Sequence, residues 1–194
     1  GYNGTQGLQG NSGGWDWGNA FRPTDNTGVS TVYGKMKFSV NPAVYQGARL
    51  VLGSDTQTGG SGYPNCTDML IMQVYNENTA DGYIAIGSIK NNGERSKWVT
   101  APGQPISQGV WYDLKIEIAG ATETGSYKAS ADSVWNTIGS VPIYDGFLAN
   151  YVGVGQSRGT TIDDVGAVPE PASALALVTG LLSMAAGASR RRRI

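Results

Sequence analysis

The sequence predicts an all-β fold, an antiparallel sandwich, followed by a single C-terminal transmembrane helix. Three observations lead there. Residues 110–118, Val-Trp-Tyr-Asp-Leu-Lys-Ile-Glu-Ile, alternate apolar and polar with period two, the pattern of a half-buried antiparallel strand. Glycine makes up 29 of the 194 residues, about twice the ordinary usage of roughly 7%, and it falls with Asn and Pro between the apolar runs as turn chemistry. Ala172 to Ser189 is an uncharged run unlike anything earlier in the chain, and four arginines close it.

Taken in order, residues 1–14 are polar and glycine-rich and read as a flexible or edge segment. Residues 15–167 are long enough for one domain with its own core. Val32, Gly34, Met36, Phe38 and Val40 share one face of a strand, with Tyr33, Lys35, Lys37 and Ser39 on the other. Residues 48–53 form a shorter strand. Residues 69–76 and 82–90 are apolar on both faces and read as central strands. After the strand at 110–118, Gly120 to Gly125 reads as a turn, and residues 125–132 and 133–139 as a hairpin. Shorter strands follow at 150–156 and 160–165.

Charge narrows the partners. Outside the terminal arginines, ten Lys and Arg face 14 Asp and Glu once Glu170 is set aside. A body this acidic argues against nucleic acid, which needs a basic surface to neutralise phosphates. The chain has no histidine, which removes the usual general base, His-paired nucleophiles and His-based metal sites. Cys66 is the sole cysteine, so neither an intrachain disulfide nor a Cys-based zinc site can form. It reads as a small buried hydrophobe or as an intermolecular disulfide partner.

Residues 168–194 divide into three parts. Val168, Pro169, Glu170 and Pro171 form a turn-prone motif, residues 172–189 the apolar run, and Arg190, Arg191, Arg192 and Arg193 a stop-transfer cluster. As a helix the run would span about 27 Å, close to the ~30 Å of a bilayer core. The arginines place Ile194 on the cytoplasmic side. This order resembles the PEP-CTERM sorting signal of bacterial exported proteins. The resemblance implies an exosortase-type membrane protease as partner, which reads Val168 to Pro171, and a helix that holds the precursor in the inner membrane until the mature form reaches the cell surface or exterior. The first ten residues hold no basic or apolar signal segment, so an export signal is expected upstream of Gly1.

The strand order of the body is similar to concanavalin A-like, laminin-G-type jelly rolls often joined to this tail. That resemblance implies two curved sheets with ligand sites on a face or at loop edges.

Several functions stay open. Trp111 sits in the polar register with Asp113, Lys115 and Glu117. A large ring among hydrogen-bonding groups suits a sugar, so these four are the candidate ligand-binding residues, with polysaccharide as the partner. Trp15, Trp17, Trp98 and Trp135 are further candidates for stacking, and each is equally read as a core or loop-packing residue. A glycosidase needs two carboxylates flanking the scissile bond. Asp113 and Glu117 share a face but stand about 13 Å apart by strand rise, with Lys115 between them holding both ionised. No catalytic residues are therefore assigned, and a secreted glycoside hydrolase is the alternative to a non-catalytic surface protein. A permanently anchored single-pass membrane protein is the third reading. Calcium is the only cofactor left open, with Asp163 and Asp164 as candidate ligands beside Asp55 and Asp68.

Overall fold

The computed structural model describes residues 8–9, 18–24, 29–39, 46–55, 67–76, 81–90, 95–103, 105–157 and 159–169. Glu170, Pro171, the apolar run and Arg190 to Arg193 lie outside them, as do Trp15, Trp17 and Cys66. Among the described residues no helix is long and apolar enough to cross a membrane.

Thirteen strands are described: β1 (Leu8–Gln9), β2 (Gly18–Pro23), β3 (Val29–Phe38), β4 (Gln46–Gly53), β5 (Met69–Asn76), β6 (Asp81–Lys90), β7 (Arg95–Thr100), β8 (Ile106–Ser107), β9 (Trp111–Ala119), β10 (Thr122–Ala129), β11 (Asn136–Pro142), β12 (Tyr151–Gln156) and β13 (Thr160–Pro169). They form two antiparallel sheets. The first runs β1-β13-β3-β9-β10-β11; the second runs β2-β12-β4-β5-β6-β7, with β8 also paired to β6. The all-β antiparallel sandwich expected from the sequence is the fold observed.

The period-two segments bury the side they were expected to bury, except at Val110, which precedes β9 and is exposed. Val32, Met36 and Phe38 on β3 and Tyr112, Leu114 and Ile116 on β9 face the second sheet's Leu50, Leu52, Leu70, Met72, Ile84 and Ile86 in one apolar core. Strands β5 and β6, apolar on both faces, lie in the middle of the second sheet. Their other face joins Val51, Met69, Ile71 and Ile89 in a second buried cluster against Phe21. A strand covered on both sides has no polar register to keep, hence the unbroken Met-Leu-Ile-Met.

Boundaries differ in the middle of the chain. The expected turn at 120–125 is only Gly120-Ala121, since Ala119 already pairs with Thr122. Gly120 supplies the left-handed conformation (φ 58°) that so tight a turn needs. Strand β10 therefore starts three residues early, and the connection to β11 spans residues 130–135. Strands β2, β7 and β8, with few apolar alternations of their own, were not anticipated. Leu8 and Gln9, inside the expected edge segment, pair with Ile162 and Thr161. The last strand extends past the expected 165 to Pro169, so Val168 and Pro169 pair with Thr31 and Val29 inside the sheet.

The early start of β10 turns Glu123 inward. It is fully buried, and neither carboxyl oxygen has a hydrogen-bond partner among the described residues. Burial pushes its pKa up from 4.5 to about 9. At neutral pH it is a protonated acid among apolar side chains.

Candidate functional site

The outer face of the first sheet carries the polar register of β3 and β9. Lys35 lies opposite Asp113 across these strands, and Asp113 lies opposite Lys128 on β10. The three side chains close into one network. Lys35 donates to Asp113 Oδ1, Lys128 Nζ stands 3.2 Å from Oδ2, and Ser130 Oγ donates to Oδ1 at 2.8 Å. Burial pushes the Asp113 carboxyl up, but hydrogen bonds from Lys35, Ser130 and Lys128 and the Lys35 charge outweigh it. The net effect holds it below the ordinary 3.8. Lys115, expected to hold both neighbouring carboxylates, pairs with Glu117 alone, at 3.0 Å. Asp113 is instead neutralised from the flanking strands, because cross-strand neighbours are closer than residues two apart on one strand.

A cleft of about 610 Å³ opens on this face, lined by Tyr33, Lys35, Asp113, Lys115, Trp135 and Asp164 among others. Two exposed rings bound it. Tyr33 lies face-down over Gly166 of β13, where any side chain would collide with the phenol, and is 44% exposed. Trp135, in the β10–β11 connection, is 37% exposed. The ammonium groups of Lys115 and Lys128 stand 4.6 and 5.5 Å from its ring centroid, within cation–π range. Tyr33 rises from β3, and Trp135 reaches the cleft from the connection beyond β10, with β9 between the two strands.

Asp164 reaches the cleft through a bulge. Asp163 pairs with Lys35 and Gly166 with Tyr33, so one residue is extra on β13. Asp164 takes the left-handed conformation there (φ 49°) and its N–H donates to Asp163 Oδ1 at 2.9 Å. A non-glycine residue in that region is uncommon and marks a locally imposed geometry. Val165, the next residue, packs against the core. The Asp164 carboxylate has no partner among the described residues.

Of the four ligand-binding residues expected from sequence, Asp113 and Lys115 line the cleft, while Trp111 and Glu117 lie outside it. Trp111 is half-buried, with Lys37 5.0 Å from its ring, and its carbonyl accepts the Ser130 N–H. Tyr33 was legible by the same register argument that singled out Trp111, since it alternates with Lys35 and Lys37. Asp164 was not, because a bulge leaves no mark on period-two counting. Asp163 and Asp164, the calcium candidates, belong to no group of three or more acidic, histidine or cysteine side chains among the described residues. Asp55 spends both carboxylate oxygens on Thr67, at 2.6 and 2.7 Å.

No protein-family model matches the chain, and no curated protein matches it significantly. Solved structures with a similar fold include the carbohydrate-binding module CBM66 of Bacillus subtilis (15% identity, 75% of this chain and 78% of that one, TM-score 0.49). Others are CG-16, a homodimeric agglutinin from chicken liver (11%, 78% and 100%, 0.48), and the galectin LEC-6 of Caenorhabditis elegans (9%, 77% and 89%, 0.49). At such identities these are likenesses of fold.

Proposed function

We propose that the chain is an exported, non-catalytic β-sandwich that binds a neutral glycan in the cleft between Tyr33 and Trp135. The observation that carries this reading is the pair of exposed rings on either side of a groove whose rim holds the unpartnered Asp164 carboxylate. A sugar ring offers apolar C–H faces to aromatic platforms and hydroxyls to carboxylates and ammonium groups. Lysines and carboxylates in the groove balance, which favours an uncharged ligand. The non-catalytic part rests on Asp113: a carboxylate committed to two lysines and a serine is a poor proton donor. The test is titration of laminarin, xylan and galactomannan against the chain and its Tyr33→Ala and Trp135→Ala variants. Binding by the parent and its loss in both variants is expected. Equal binding by all three proteins overturns the site.

The sorting part rests on the order of Val168 to Pro171, the apolar run and Arg190 to Arg193. An exosortase-type protease would act just beyond the end of β13, and the mature protein would lack the residues after about 171. Intact-mass measurement of the surface form checks this. Recovery of mature protein that still carries the arginines leaves a permanently anchored membrane protein instead.

A further inference from the structure

The bulge on β13 decides which groups meet in the cleft. Asp163 and Gly166 both hold the outward register, opposite Lys35 and Tyr33. Between them stand two residues, Asp164 and Val165, against one, Gly34, on β3. Regular alternation would turn residue 164 into the core. The extra residue hands that inward place to Val165, whose Cγ2 would lie 3.3 Å from a Cβ on Gly34, and leaves Asp164 exposed on the outer face. The segment is pinned on both sides. The Asp164 N–H donates to Asp163 Oδ1 at 2.9 Å. Two residues on, the phenol of Tyr33 covers Gly166, where a Cβ would collide with the hydroxyl oxygen. One bulge therefore sets a carboxylate beside the hydroxyl end of an aromatic platform.

Of the charged side chains that line the cleft, Lys35 is bonded to Asp113 and Lys115 to Glu117. The Asp164 side chain has no partner among the described residues, so both its oxygens can accept from a ligand. A carboxylate accepts two near-parallel hydrogen bonds best from a fork of donors. On a pyranose that fork is a pair of free hydroxyls on adjacent ring carbons, held gauche by the chair. A ring lying on Tyr33 turns its edge, where such hydroxyls project, toward Asp164. Linkage decides whether the fork exists. Inner residues of a 1,4-linked chain, such as xylan or the backbone of galactomannan, keep the hydroxyls on carbons two and three. Inner residues of a 1,3-linked glucan keep those on carbons two, four and six, and no two of these are adjacent.

We propose that Asp164 is the specificity-determining residue of the first-sheet cleft, and that it selects inner residues of 1,4-linked neutral polysaccharides, through their paired hydroxyls, over 1,3-linked glucans. The inference rests on the glycan reading of that cleft and names the linkage it accepts. Tyr33 and Trp135 stack on the C–H face of a sugar whatever its linkage. Discrimination falls to the carboxylate, because a charged acceptor left without its donors loses more than a neutral one.

The test uses the full chain in a sugar-free zwitterionic detergent, run on native gels that contain xylan, galactomannan or laminarin, a 1,3-linked glucan with adjacent free hydroxyls only at its chain and branch ends. Xylan and galactomannan are expected to bind the parent about tenfold more tightly than laminarin. Asp164→Gly should weaken binding to both by about tenfold and leave laminarin nearly unchanged, and Asp164→Asn, which keeps one acceptor oxygen, should fall between. Glycine and asparagine both accept the left-handed backbone of this position, so an unchanged melting curve separates lost binding from lost folding. Equal weakening on all three polysaccharides means that the carboxylate reads no hydroxyl pair, and overturns the inference. So does a parent that does not favour xylan over laminarin, or an Asp164→Gly variant that binds xylan as the parent does. In these cases the glycan reading still stands where Tyr33→Ala and Trp135→Ala lose binding. If those two variants bind as the parent does, the cleft is not the site, and the inference falls with it. Absence of retardation of the parent in every gel overturns both.

Discussion

The Lys115 ammonium stands 4.6 Å from the centre of the Trp135 ring, while the same lysine pairs with Glu117 at 3.0 Å. The ring is held in place by charges that approach it from the sheet, not by burial in a core. Trp135→Ala is therefore expected to lower stability by only about 1 kcal/mol, the scale of an exposed cation–π contact. Urea denaturation of parent and variant checks this. A loss above about 3 kcal/mol would mean that the ring is a packing residue and not a platform.

Trp111 gives the opposite expectation. It is half-buried under Lys37 and outside the cleft, so Trp111→Ala should cost about 2–4 kcal/mol as a large-to-small change and leave glycan affinity unaltered. Melting and binding measured on one preparation separate the two effects. Weakened binding with an unchanged melting curve would restore Trp111 to the site.

Asp113 links the cleft to acid sensitivity. Its folded pKa lies below the ordinary 3.8, so the unfolded chain takes up its proton first as the pH drops. The stability it contributes is present above pH ~4 and is lost as the pH falls through the folded value. Asp113→Asn should destabilise the protein at neutral pH by about 1–3 kcal/mol, since Lys35 and Lys128 lose a charged acceptor. It should also flatten the acid limb of a stability-against-pH curve. An acid limb identical to the parent's would show that other carboxylates set it.

Glu123 acts at the other end of the scale. Its folded pKa is about 9 against an ordinary 4.5, so the unfolded chain loses its proton first as the pH rises. The protein should lose stability steadily from pH ~5 to ~9, with a slope approaching about 1.4 kcal/mol per unit. Glu123→Gln should remove the slope, and Glu123→Leu should stabilise at pH 8 by about 1–3 kcal/mol by deleting an unsatisfied buried polar group. Denaturant midpoints for the three proteins at pH 5, 7 and 9 decide it. Parallel pH dependence in all three would show that Glu123 finds a partner or solvent.

The fold was legible where one side chain in two had to be apolar, as in β3 and β9, and where both had to be, as in β5 and β6. It was not legible where backbone pairing alone defines the strand: β1 and β8 are two residues each, and β2 and β7 lie at the edges of a sheet and have little apolar surface to declare. Site residues followed the same division. Asp113 and Lys115 could be read because they hold the outward register of a regular strand. Asp164 depends on a bulge, so it is not written in local spacing. Glu123 was obscured because two glycines five residues apart looked like the ends of one turn, and a turn would have left the carboxylate in water.

The order of the sheets has a consequence for assembly. β13 lies between β1 and β3, and β12 lies between β2 and β4, so the last two of the described strands enter between strands made earlier. Neither sheet can be completed progressively as the chain emerges, and closure depends on contacts between distant parts of the sequence, a topology that folds slowly. Until Tyr151 to Pro169 arrive, β3 and β4 present open hydrogen-bonding edges, the surfaces most prone to pairing with another copy. A chain ended after Asn150 should accordingly be protease-sensitive and aggregate, whereas one ended after Pro169 keeps every described strand. The C-terminal segment is thus the closing stroke of folding as well as the junction with the tail.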